Sequence, residues 1–271
     1  MSAPSTDLPA VRPAAAPGGA WSVRTLRGLL VAEARKTLST SVWWAMLIPA
    51  GLVSMVIAMI TATDGRLGHS QAFALGSFGV VFAVLFGTVS ASAEYRHHTI
   101  STSYLVAADR VRLTVAKMAV AAVVGAGYAL VTSALGIAGM LVRGAHPFAE
   151  LGSVLQVSAV AVVVFALWAV LGVGFGTLVS SQVLAVVGVL LYLLIVEPIL
   201  QVLAAVADLD RLGPYLPGPA AATSLEALTG EQFGGGFGVG PPWWLMLLVF
   251  FGYTVLVGLV GTAAAHRRDV T

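Results

Sequence analysis

No cysteine occurs in the 271 residues, which removes disulfide frameworks, thiolate metal sites, cysteine nucleophiles and redox pairs, and leaves the redox compartment unread. Charge is nearly as scarce. Only 10% of the residues are charged, against about 25% in an ordinary globular domain, too few to cover a water-facing surface. The net charge of +2 is too small to argue for nucleic acid. There is no Gly-x-x-x-x-Gly-Lys-Ser/Thr loop, so the chain cannot by itself cradle the phosphates of ATP. All five histidines, His69, His97, His98, His146 and His266, fall in loops or at termini, which excludes a proton relay through the apolar runs and a metalloprotease pair four residues apart.

What is abundant is apolar. Hydrophobic residues make up 58% of the chain and the mean hydropathy is +0.94, a composition suited to a bilayer. Six runs, at about 43–63, 71–92, 114–142, 153–179, 183–207 and 243–264, each reach spanning length. Some 20 residues at about 1.5 Å rise cross a hydrocarbon core of roughly 30 Å. The runs are continuous and rich in Ala, Leu and Val rather than alternating, so the expected fold class is an all-α membrane protein of six transmembrane helices, not a barrel. No stretch remains for a separate soluble domain, which argues against a soluble enzyme.

Residues 1–20, with Pro4, Pro9, Pro13 and Pro17, read as a disordered tail rather than a signal peptide. From Trp21 to about Ser41, Arg24, Arg27, Arg35 and Lys36 alternate with Leu26, Leu29, Leu30, Ala34 and Leu38, the pattern of an amphipathic helix lying along lipid headgroups. With the amino terminus inside, only Arg66, Arg143 and Arg211 of the 14 basic residues fall outside. That bias satisfies the positive-inside rule and puts both termini in the cytoplasm. Trp43, Trp44, Trp243 and Trp244 mark span ends at the interface.

Glu197 is the one ionisable group placed deep in a span, and Pro198 follows it at once. A buried acid there costs roughly 2.5–3.5 kcal/mol even on the lenient insertion scale, so it demands a partner, a proton or water. Pro198 has no N–H to donate, so the helix is expected to kink or break. Two roles stay open: a polar element of a transport route or its outer gate, or a structural carboxyl pinning a broken helix to its neighbours. Gly172, Gly174 and Gly176 in the fourth span read as close helix packing. Between the second and third spans a segment carries Glu94, Tyr95, Arg96, Thr99, a short helix from about Ile100 to Val106 with Thr99 as N-cap, then Asp109, Arg110, Arg112 and Lys117. It reads either as a docking surface or as a basic loop that anchors topology.

This ordered set resembles the ABC-2 type permeases, the membrane subunits of ABC exporters. Glu94-Tyr95-Arg96 with Thr99-Ile100, a capped helix and Arg110, Arg112 and Lys117 is similar to their cytoplasmic coupling region. The amphipathic helix before the first span, Glu197-Pro198 in the fifth, Tyr215-Leu216-Pro217-Gly218 before the sixth and the Arg267-Arg268-Asp269-Val270 ending, common in actinobacterial members, agree with it. One departure is His98, where members often carry glycine. The resemblance covers residues 21–271.

The resemblance implies a bacterial plasma-membrane subunit that pairs with a second permease, a copy of itself, above two ATP-binding subunits that hold the ATP and magnesium; this chain binds no cofactor. Docking falls to Glu94, Arg96, Thr99, Tyr104, Leu105, Arg110 and Arg112. Short re-entrant helices between spans five and six cap the pathway, and with Glu197, Pro198, Tyr215 and Pro217 they form the expected outer gate. Phe78, Phe82, Phe86, Trp168 and Tyr192 are candidate walls of a cavity for a lipophilic or amphipathic cargo such as a drug, antibiotic, lipid or peptide, as in multidrug efflux, and equally ordinary lipid contacts. The competing readings are a secondary transporter, which would need polar breaks in corresponding halves and has only one, and a non-transporting anchor or sensor subunit.

Overall fold

The computed structural model describes residues 23–62, 71, 74–96, 110–179, 181–229 and 241–267. Among them there is no strand. With no water in a hydrocarbon core, every backbone group in a spanning run must be paired within its own segment, which selects helices. The chain forms α1 (Val23–Ser39), α2 (Val42–Thr61), a π-turn (Leu75–Gly79) leading into α3 (Val80–Arg96), α4 (Arg110–Val142), α5 (Leu151–Leu178), α6 (Gln182–Leu191), a second π-turn (Tyr192–Val196), α7 (Glu197–Val206), a 3₁₀ turn (Asp210–Tyr215), α8 (Pro217–Glu226) and α9 (Trp243–Arg267).

Five helical stretches are long and apolar enough to cross a membrane: α2, α4 from Val111, α5, α6 through α7 as one run, and α9 to Ala265. The run expected at 71–92 is built differently. Its apolar helix, Val80–Ala93, is shorter than a full span, and the π-turn extends it at its start. The tryptophan boundaries agree with the helix ends, α2 opening beside Trp43 and α9 on Trp243. Leu52, Val56 and Ile60 on α2 and Val202 and Val206 on α7 face outward and exposed; that apolar exterior suits lipid and not water.

The centre of the bundle is α5, which packs against α3, α4 and α9. Its approach to α3 is set by Gly172, where an added Cβ would strike the backbone of Val84 and Thr88, while Gly174 on the opposite side faces the backbone of Val257 and Gly258 in α9. Lipid competes with apolar side chains as a partner, so association relies on such close packing and on interhelical hydrogen bonds. The latter include Ser54 Oγ donating to the Thr132 carbonyl at 3.1 Å, Gln71 Nε2 donating to the Ser133 carbonyl at 3.2 Å, and the Tyr128 hydroxyl donating to the Trp43 carbonyl.

The corner between α1 and α2 has a local cause. Ser39 and Thr40 hydroxyls turn back onto the carbonyls of Lys36 and Thr37, both at 2.8 Å, and end α1. The Trp43 indole N–H then donates to the Leu38 carbonyl at 3.3 Å across the bend. On α1, Glu33 and Thr37 are buried against the protein, while Val31 and Leu38 are exposed. An ion pair from Glu33 ties this helix to α4.

Candidate functional site

Within the spanning run that α6 and α7 form together, Glu197 stands where the second π-turn passes into α7. The expected kink at Pro198 takes the form of a widened turn. The Glu197 N–H donates to the Tyr192 carbonyl, five residues back, in the π-turn, so the register shifts where Pro198 contributes no donor and the run stays helical. The Glu197 side chain is only 4% exposed. Its Oε1 accepts the Gly218 backbone N–H at 2.7 Å and the Tyr192 hydroxyl at 3.4 Å.

The pairing follows from the sequence of α8. Pro217 and Pro219 have no N–H, and the preceding Leu216 offers no side-chain cap; Gly218 therefore carries the one backbone donor among the first three residues. A carboxyl from another helix takes that donor, at the positive end of the α8 dipole. A Cβ there would press on the Glu197 carboxyl, against Oε2 and 2.8 Å from the carboxyl carbon, so the side chain would have to shift. The geometry is that of a capping carboxyl pinning α8 to the spanning run. Tyr215 ends the 3₁₀ turn at the exposed margin, and Pro217 is buried.

Directly beside this joint lies a cavity of about 270 Å³, walled by Trp168, Phe175, Tyr192, Leu193, Pro217 and Tyr253 among others. Of the five expected cavity residues, Trp168 and Tyr192 share this wall. Phe78, Phe82 and Phe86 do not line it. Phe86 is core, tilted against Tyr128 with ring centroids 5.7 Å apart; Phe82 packs on the same cluster; Phe78 is half-exposed. Trp168 is 2% exposed, and its ring lies 4.8 Å from that of Phe250. Its Nε1–H has no acceptor among the described residues. A buried donor without a partner costs about 1–3 kcal/mol.

The second joint is near the start of α4. Lys117 Nζ lies 2.7 Å from Glu33 Oε2, with side-chain exposures of 6% and 7%. Lys36 adds a longer contact to Oε1 at 3.8 Å and is itself 41% exposed. The pair keys α1 to the first turns of α4. Further along α4, the Tyr128 hydroxyl donates to the carbonyl of Trp43 at the start of α2, so α4 holds both α1 and α2. Glu33 escaped the sequence reading. Its signal was present: it is the only acid among the four cations of α1, one turn before Lys36.

The expected docking residues are only partly placed. Glu94 and Arg96 occupy the last turn of α3 and Arg110 opens α4, but their side chains, like the whole of Thr99, Tyr104, Leu105 and the short helix around them, lie outside the described residues. Arg112 is half-buried on α4, between Arg110 and the Lys117 joint. Among the described residues no cluster of His, Asp and Glu is arranged to hold a metal ion. The sequence matches no protein-family model, and it matches no curated protein.

Proposed function

We propose that this chain is the permease subunit of an ATP-driven exporter of the ABC-2 type, moving a lipophilic or amphipathic compound across a bacterial plasma membrane. In this reading a second copy completes the pathway, and two separate ATP-binding subunits hold the nucleotide and magnesium and dock from the cytoplasm. The observation that carries it is the buried Glu33–Lys117 pair. It makes α1 and the start of α4 one mechanical piece. Arg110 and Arg112 lie on that same helix, less than three turns before Lys117, so a push on the 94–112 segment reaches α1, and through it α2, without being absorbed at a loose contact. At the opposite end the Glu197-capped α8 supplies an outer closure that a non-transporting anchor would not need.

Purification of the tagged protein from its native membrane in lipid-preserving conditions should recover an ATP-binding subunit in equal number, with hydrolysis stimulated by cargo. Reversing both charges, Glu94→Lys with Arg96→Glu, should leave the complex folded and hydrolysing ATP while export falls at least tenfold. Undiminished export by the reversed protein would remove the docking assignment; export by the chain alone, with no nucleotide-hydrolysing companion, would remove the function.

A further inference from the structure

We infer that α7 is the helix through which two copies of this chain meet in the membrane, about a two-fold axis, with the Gln201 amide donating to the amide oxygen of the partner's Gln201. The run from Gln182 to Val206 is the least buried of the five spanning stretches, 17% of its most apolar window lying inside the protein against 39% for α4 and α5. Within it, α7 is bare nearly all round. Ile199, Leu200, Gln201, Val202, Leu203 and Val206 are exposed, and at about 100° per residue they cover the whole circumference. Glu197 is the one buried residue of the helix.

The sides of α7 differ in chemistry. Ile199, Leu203 and Val206, spaced three and four apart, make an apolar side that suits lipid. The opposite side carries Glu197, Gln201 and Ala205, four apart. Glu197 is engaged by Gly218 and Tyr192. Gln201 makes no hydrogen bond among the described residues, and its side chain is exposed. It stands seven residues before the exposed Asp208, about 10 Å deeper into the apolar run. Hydrocarbon offers an amide no partner. A second α7 does: an amide is donor and acceptor at once, and a two-fold contact sets a residue against its own copy. Ala204 and Ala205, one turn along, let two backbones approach closely. A single amide among alanines makes a poor wall for water and suffices for one bond between helices. The export reading calls for a second copy, and α7 gives that copy its place; the interface rests on that reading for its purpose, not for its existence.

The chain has no cysteine, so a single introduced cysteine reports without background. In proteoliposomes of the full chain, with no nucleotide and no ATP-binding subunit, oxidation should cross-link copies carrying Ala205→Cys, on the Gln201 side. It should not cross-link copies carrying Leu203→Cys, which is also exposed but about 200° away around the helix. Gln201→Leu should weaken association about three- to tenfold, read by energy transfer between labelled copies as lipid is added, and should reduce the Ala205→Cys cross-link with it. Equal cross-linking at both positions, or unchanged association in Gln201→Leu, would overturn the interface. So would ready labelling of Ala205→Cys by a water-soluble maleimide with no cross-link, since water would then cover this side. Pairing through α7 by a protein that exports nothing supports the interface and removes the export reading, whereas an exporter whose copies meet on another helix overturns the interface alone.

Discussion

Replacing Lys117 by Met lowers the stability of the folded protein by about 3–5 kcal/mol, the cost of leaving one member of a buried ion pair without its partner. Glu33 is the member left behind, with a side chain 7% exposed. Lys36 does not replace Lys117. Its ammonium stands 3.8 Å away on a side chain 41% exposed, and exposed pairs contribute at most about 1 kcal/mol. The double replacement Glu33→Leu with Lys117→Met should recover most of the loss, since apolar groups of similar volume substitute for a buried pair at little cost. Thermal unfolding in lipid nanodiscs measures both. If the single replacement melts with the wild-type protein, α1 is not keyed to α4 and the mechanical argument for export loses its support. If both variants are equally destabilised, packing rather than charge holds the joint.

Adding one methyl group at Gly218 should be nearly as damaging at the other end. In Gly218→Ala the new Cβ meets the Glu197 carboxyl and forces it off the backbone N–H. The flanking prolines offer no substitute donor, so the Gly218 N–H loses its acceptor and Glu197 keeps only the longer contact with the Tyr192 hydroxyl, at about 1–3 kcal/mol. Glu197→Gln keeps an amide oxygen in the place of Oε1 and should cost no more than about 1 kcal/mol. The two open roles of Glu197 then separate. A capping carboxyl predicts that Glu197→Gln folds and transports while Gly218→Ala does neither well. Loss of transport by a well-folded Glu197→Gln would mean that the carboxyl acts in the pathway. Adding Glu197→Ala to Gly218→Ala removes the collision, so the pair should be less than additive.

The gross architecture was legible because bilayer insertion acts on composition along the chain. An 18- to 25-residue apolar run must be helical wherever it packs, and Trp43 and Trp243 mark ends that the structure places within a residue. Gly172 and Gly174 could be read as packing residues, since only a missing side chain permits backbone contact. Which neighbour each one faces could not, because that depends on the rotation of α5 about its own axis. For the same reason the sequence could not divide the aromatic residues between core and cavity. Phe86 and Trp168 look alike in an apolar run, yet one fills the core against Tyr128 and the other walls a cavity.

Glu197 was singled out by cost alone, and the Pro-Gly-Pro run by its missing donors; neither of these facts names the other as its partner. What the linear order determined is where the chain must be helical and which groups cannot be buried alone. Tertiary structure decided who satisfies them: Gly218 for Glu197 and Glu33 for Lys117. The reason is physical. Partition into lipid is a sum over neighbouring residues, whereas a hydrogen bond or ion pair between distant segments exists only after helices have chosen their neighbours, depths and rotations.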